Sequence, residues 1–279
     1  MAHWMVIGLL ALAPRLAAAQ ASVSLRVDGG QDTAVRGVAL SGDYRLYRDP
    51  QWSISAGGAL EQTLLAGTTS LAQGLKAQYG FQLGGRPATL SLNYSARRNW
   101  QGASGLDTGQ SGTLDLGWQP MPGAGVGLFG ALSRTNFDQD GADARLDSQD
   151  GATRRVGVRG LLAFGGRSST VQGMLSHVSV DAEGANFVSR GAVAALQYTQ
   201  LLARRWSLGA GADYTKTRYT EFAADPARES ALYACRVSLA GSLMRQLTAS
   251  VAYALSRQTW NQDPLVRQES LLLSLTYTL

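Results

Sequence analysis

The sequence predicts an all-β fold, a single transmembrane antiparallel β-barrel of about 14 strands, on three observations. Apolar and polar residues alternate with period two through one segment after another. The segments run to about 10–15 residues, longer than the ~5–6 usual in soluble sandwiches and suited to tilted strands crossing a bilayer. The connections alternate between short turns and longer polar loops, the asymmetry of a membrane barrel.

Composition leaves this class open and closes others. The chain has 279 residues, 45% of them hydrophobic, and a mean hydropathy of −0.08. Its 33 glycines are about 12% of the chain against a usual ~7%, which marks it as turn-rich. Beyond the first residues no apolar run approaches 18, so helical spans are not expected. The lone Cys235 forms no internal disulfide and reads as a small apolar strand residue. A net charge of +5, spread along the chain, makes no case for nucleic acid.

The first element expected is a signal peptide, residues 1–19. Met5 to Ala13 is an apolar run too short to span a bilayer, and Ala17-Ala18-Ala19 supplies a small-x-small cleavage site. The barrel then occupies residues 20–279. Val23, Leu25 and Val27 oppose Ser22, Ser24, Arg26 and Asp28; Trp52, Ile54 and Ala56 oppose Ser53, Ser55 and Gly57. Leu75, Ala77, Tyr79, Phe81 and Leu83 oppose Lys76, Gln78 and Gln82, and Leu90, Leu92 and Tyr94 oppose Thr89, Ser91 and Asn93. Leu114, Leu116 and Trp118 face away from Asp115, as do Val156, Val158, Leu162 and Phe164 from Arg155 and Arg159. Trp206, Leu208, Ala210 and Tyr214 oppose Asp213; Leu247, Val251, Tyr253 and Leu255 oppose Ser250 and Ser256. The stretches around Val126 and Val171 alternate less clearly.

Short connections fall at 48–51, 84–87, 165–167, 203–205 and 245–246, with 120–125 somewhat longer; long polar ones fall at 99–109, 138–151, 181–186, 221–229 and 261–264. No proline interrupts a strand interior, as ladder hydrogen bonding requires. Trp52, Trp118, Phe164 and Trp206 sit beside the short turns. Tyr94, Trp100, Phe137, Tyr214, Tyr219 and Trp260 sit toward the long loops, predicting two interfacial girdles.

The final stretch LLLSLTYTL resembles the C-terminal recognition strand of bacterial outer-membrane proteins. Leu271, Leu273, Leu275 and Tyr277 match its alternating pattern, and Leu279 stands where those proteins end in an aromatic residue. The resemblance implies residence in the outer membrane of a Gram-negative bacterium, in contact with its lipid, after insertion by the barrel assembly machinery. In strand texture, such as RRWSLGAGADYTKTRY and LTASVAYALSRQTW, the chain also resembles the barrels of surface lipoprotein assembly modifiers and of exopolysaccharide export. That likeness implies a conduit for polysaccharide or surface lipoprotein, with a possible periplasmic export partner.

Within a barrel the polar face lines the lumen, which here carries Arg26, Asp43, Arg45, Glu61, Lys76, Arg97, Asp115, Arg155, Arg159, Asp213 and Arg236. A mildly cationic lumen would guide anionic solutes or glycans; internal ion pairing would close it instead. Lys76, Arg97, Asp115, Arg155, Arg159 and Arg236 are the candidate lumen residues. The expected function is a pore or export conduit, not an enzyme, and no cofactor is expected. A non-conducting structural or assembly barrel is the bland alternative. His177 and Ser179 share one strand face and resemble the His–Ser pair of outer-membrane lipid hydrolases, in which imidazole takes the serine proton. Val180-Asp181 follow in place of the Asn and Gly of those enzymes. Asn136, Asp138, Asp140, Gly141 and Asp147 match calcium-loop spacing, though the twelfth position is Asp rather than Glu and strands flank it; no metal is expected.

Overall fold

The computed structural model describes residues 19–29, 34–63, 67–101, 104–138, 148–166, 168–203, 205–222, 228–244, 247–260 and 266–278. The expected signal peptide lies outside them apart from Ala19, and so do Asp140, Gly141 and Asp147 of the calcium-loop candidate and Leu279 of the terminal strand.

The described chain forms fourteen strands in chain order: β1 (Ala19–Gly29), β2 (Ala34–Arg48), β3 (Trp52–Thr63), β4 (Thr68–Leu83), β5 (Arg86–Gln101), β6 (Ser104–Met121), β7 (Ala124–Phe137), β8 (Gly151–Phe164), β9 (Ser169–Ala182), β10 (Ser189–Ala203), β11 (Trp206–Tyr219), β12 (Glu229–Ser242), β13 (Leu247–Trp260) and β14 (Val266–Thr278). Each pairs antiparallel with its sequence neighbours, and β1 closes on β14 from Ser22↔Thr278 to Gly29↔Leu271. Closure leaves no strand edge, which lipid demands because it offers no partner for an open N–H or C=O. Fourteen strands at ~4.8 Å spacing and ~40° tilt give a backbone radius of about 14 Å.

Inside and outside are inverted relative to a soluble protein. Among the described residues the buried apolar side chains are only Ala88 and Ala252. Large apolar side chains stand on the outward face of successive strands: Leu92, Leu114, Leu128, Val156, Leu175 and Leu196, each more than half exposed. A soluble chain would hide that surface; a bilayer solvates it. The inward face carries small and polar residues, so β7 and β9, ambiguous in the sequence, take their parity from Leu128 and Leu175.

Turn chemistry fixes one rim. Gly84 and Gly85, at φ +58° and +72°, make the two-residue connection between β4 and β5. That conformation is strained for any residue with a Cβ and matches the twist of the hairpin. Pro122-Gly123, with Gly123 at φ +83°, fits a type II turn between β6 and β7. Asp49 holds the β2–β3 turn: its carboxylate accepts hydrogen bonds from the backbone N–H groups of Gln51 and Trp52 and from the Tyr47 hydroxyl. These bonds hold its pKa below the usual carboxylate range, the Trp52 amide contributing most. Pro87 is the second residue of β5, and Pro120 lies in the bulge near the end of β6.

Two expectations need correction. The stretch 99–109 is not a long loop: β5 and β6 run through it and pair up to Gln101↔Ser104. Above the lipid both faces are wet, so the alternation fades while the ladder continues. The loop-side aromatics also do not form one outer girdle. Trp100 and Tyr214 share parity with outward neighbours, whereas Phe137, Tyr219 and Trp260 share it with inward ones.

Candidate functional site

The inward face places long side chains over glycines. A Cβ at Gly127 on β7 would meet Arg159 Nε at 3.0 Å, and one at Gly109 on β6 would meet Arg97 Nε at 3.0 Å. The missing side chains are slots. Through the Gly127 slot Arg159 of β8 crosses β7 and reaches Asp115 of β6, Nη2 to Oδ1 2.7 Å. The contact is ionic without hydrogen-bond alignment: Asp115 Oδ1 is buried and accepts no hydrogen bond among the described residues. Arg97 lies 3.8 Å from Asp107, whose two oxygens accept hydrogen bonds of 2.9 and 3.0 Å from the Asn99 amide.

Arg155 is held differently. Its Nε donates to Ser176 Oγ at 2.9 Å, Nη2 meets Met174 Sδ at 3.3 Å, and the guanidinium lies over the Phe129 ring at 5.6 Å. Phe129 fits because Gly157 stands beneath it: a Cβ there would lie 2.8 Å from the ring and 2.5 Å from the Leu175 carbonyl oxygen. Phe129, Met174 and Ser176 were not singled out from the sequence. The parity of Leu128 would have placed Phe129 inward, but nothing in the sequence pairs it with Arg155.

The lumen holds a cavity of about 1060 Å³, and Arg159, Arg236, Asp213, Gln172, Gln197 and Ser238 are among the side chains lining it. Gly117, Gly125, Gly209 and Gly211 leave its wall low. From Arg45 onward, seven inward cations (Arg45, Arg48, Lys76, Arg97, Arg155, Arg159, Arg236) face four inward carboxylates (Glu61, Asp107, Asp115, Asp213) among the described residues. Two of the carboxylates are taken up by Arg97 and Arg159. Arg45, Lys76 and Arg236 are exposed and make no ion pair among the described residues. The six candidate lumen residues are thus not one cluster: Arg97, Asp115, Arg155 and Arg159 pave the β5–β9 wall, while Lys76 and Arg236 stand apart on β4 and β12.

His177 and Ser179 lie on the outward face of β9, where His177 is exposed between Val156 and Ala192 in register. No hydrogen bond joins His177 to Ser179 among the described residues. Asn136 accepts a hydrogen bond from Arg134 Nε at 3.2 Å, and Asp138 lies 3.9 Å from Arg98. Both described members of the calcium-loop candidate therefore face arginines, and no group of three or more metal-ligating side chains occurs among the described residues. The terminal strand β14 places Leu271 and Leu273 on the outward face and pairs Leu275 with Leu25 and Tyr277 with Val23.

Known structures share this architecture. OmpT of Vibrio cholerae, an outer membrane protein solved in its trimer form, aligns with a TM-score of 0.58 at 11% identity, over 94% of this chain and 98% of that one. The CymD monoaromatic hydrocarbon channel aligns at 0.52 and 11% identity, over 94% and 88% of the two chains. A bacterial polysaccharide outer membrane secretin aligns at 0.50 and 11% identity, over 95% and 99%. No protein-family model and no curated protein sequence matches the chain. By its closed ladder, its outward apolar belt and these likenesses, the chain has the transmembrane β-barrel fold of bacterial outer-membrane proteins.

Proposed function

We propose that the barrel is a pore for small polar solutes, with a modest preference for anions. The observation that carries this reading is the lumen cavity of about 1060 Å³. Its size matches the upper range of small-molecule sites, ~300–1000 Å³, and is far below that of a folded polypeptide. That favours solutes over a surface lipoprotein as cargo. Its wall sets hydrogen-bonding amides, a hydroxyl and guanidinium groups among apolar surface.

The anion preference rests on Lys76 and Arg236, neither of which has a carboxylate within ion-pair distance among the described residues, the diagonal neighbour of Arg236 being Asp213. Arg159 serves the test poorly, because removing it strips the counter-charge from the mostly buried Asp115. A Lys76→Gln/Arg236→Gln variant separates charge from structure. In liposome swelling with solutes of matched size, the native barrel should admit an anionic sugar acid faster than its neutral analogue. The double variant should narrow that ratio severalfold while leaving neutral uptake in place. Equal rates for both solutes in the native protein would refute the preference, and absence of any uptake would refute the pore.

A further inference from the structure

The outward face is chemically asymmetric along the barrel axis. At the short-turn rim it ends in Trp52, Trp118, Phe164 and Trp206. At the long-loop rim the same face carries arginines on several strands. Across β8 to β11 they stand in one hydrogen-bonded row: Arg154↔Ser179, Ser179↔Arg190, Arg190↔Arg218. The three guanidinium-bearing residues are exposed and have no carboxylate within ion-pair distance among the described residues. On β12 the row ends in an acid, Glu229, opposite Arg218, which Lys216 engages at 3.1 Å, and Asp181 sits one step toward the loops opposite Ala152.

Such a row is costly when bare. Two strand spacings separate Arg154 from Arg190, about 10 Å, and one, about 5 Å, separates Arg190 from Arg218. Like charges that close repel, the more so against a low-dielectric wall. Arginine side chains at the edge of an apolar belt extend along it and place their heads at headgroup level. A guanidinium fork binds phosphate oxygens bidentately, and two flanking a hydroxyl form a three-point receptor for a tetrahedral dianion. The geometry points to a lipid-phosphate site formed by Arg154, Ser179, Arg190 and Arg218, which binds the phosphorylated headgroup of a lipid in the leaflet beneath the long loops. The row faces the bilayer, not the lumen, so the ligand is a lipid rather than a transported solute.

The test uses the refolded mature chain in phosphatidylcholine nanodiscs doped with bis-phosphorylated lipid A, with co-purifying lipid counted by native mass spectrometry. Lipid A should remain bound to the native barrel. An Arg154→Gln/Arg190→Gln/Arg218→Gln variant should weaken retention tenfold or more, and Arg86→Gln, at the opposite rim, should leave it unchanged. Heat-modified gel mobility confirms that each variant is folded, and the triple Lys variant should recover part of the binding. Equal retention of fully dephosphorylated lipid A, or full retention by the triple Gln variant, would overturn the site. Displacement of the lipid by millimolar inorganic phosphate would overturn its assignment to a lipid, leaving a free-anion site.

Discussion

Glycine at 157 shows how one absent side chain organises a wall of the lumen. The ring of Phe129 lies over it, and the Arg155 guanidinium lies over the ring. Gly157→Val should therefore push the ring and the β9 backbone together, an overpacking that costs about 1–3 kcal/mol; urea unfolding in lipid vesicles measures it, and an unchanged midpoint would contradict the packing. Asp49 makes a pH-dependent case. Its folded-state pKa lies below the unfolded value of about 3.9, so its contribution is present above that pH and is lost as pH falls through the folded value. Asp49→Asn should lower stability at pH 7 and match the native protein in strong acid, read from the same unfolding assay at each pH. At this scale the sequence was only partly legible. The inward parity of Arg97, Asp115, Arg155 and Arg159 could be read from Leu116, Val156 and Val158 beside them. Their partners could not, because Arg159 reaches Asp115 across an intervening strand and alternation within a strand is silent about pairs between strands.

Strands are where the sequence speaks most clearly, and where it falls silent is physical. Alternation is enforced only at the depth where one face meets lipid and the other water, so β8 is evident from Val156 to Phe164. Beyond that depth both faces are wet. The ends of β5 and β6 therefore look like loop, and Tyr219 and Trp260 look like girdle residues although they face inward. The same depth dependence predicts the cost of charge on the outer face. Leu175, at the middle of β9 and 57% exposed, should tolerate arginine poorly: Leu175→Arg should destabilise the barrel by about 2–4 kcal/mol in lipid. Arginine is native at position 154, near the loop-side end of β8, where the cost falls to about 0–1 kcal/mol. Equal losses for Leu175→Arg and for a loop-rim Thr108→Arg control would contradict the membrane depth assigned to β9.

The whole molecule follows from its parts with little freedom. An apolar exterior demands closure, and closure of fourteen strands gives a radius too wide for small and polar inward residues to fill. Strand count and class were legible because every strand repeats the same signal; the net character of the lumen was not, because it depends on which arginines are neutralised by neighbours. The central claim is a water-filled lumen, and single-channel recording of the refolded barrel, residues 20–279, in a planar bilayer tests it most directly. Stable conductance steps should appear, with a reversal potential in a salt gradient that indicates anion preference and moves toward zero in Lys76→Gln/Arg236→Gln. A correctly folded barrel that inserts and never conducts would contradict it.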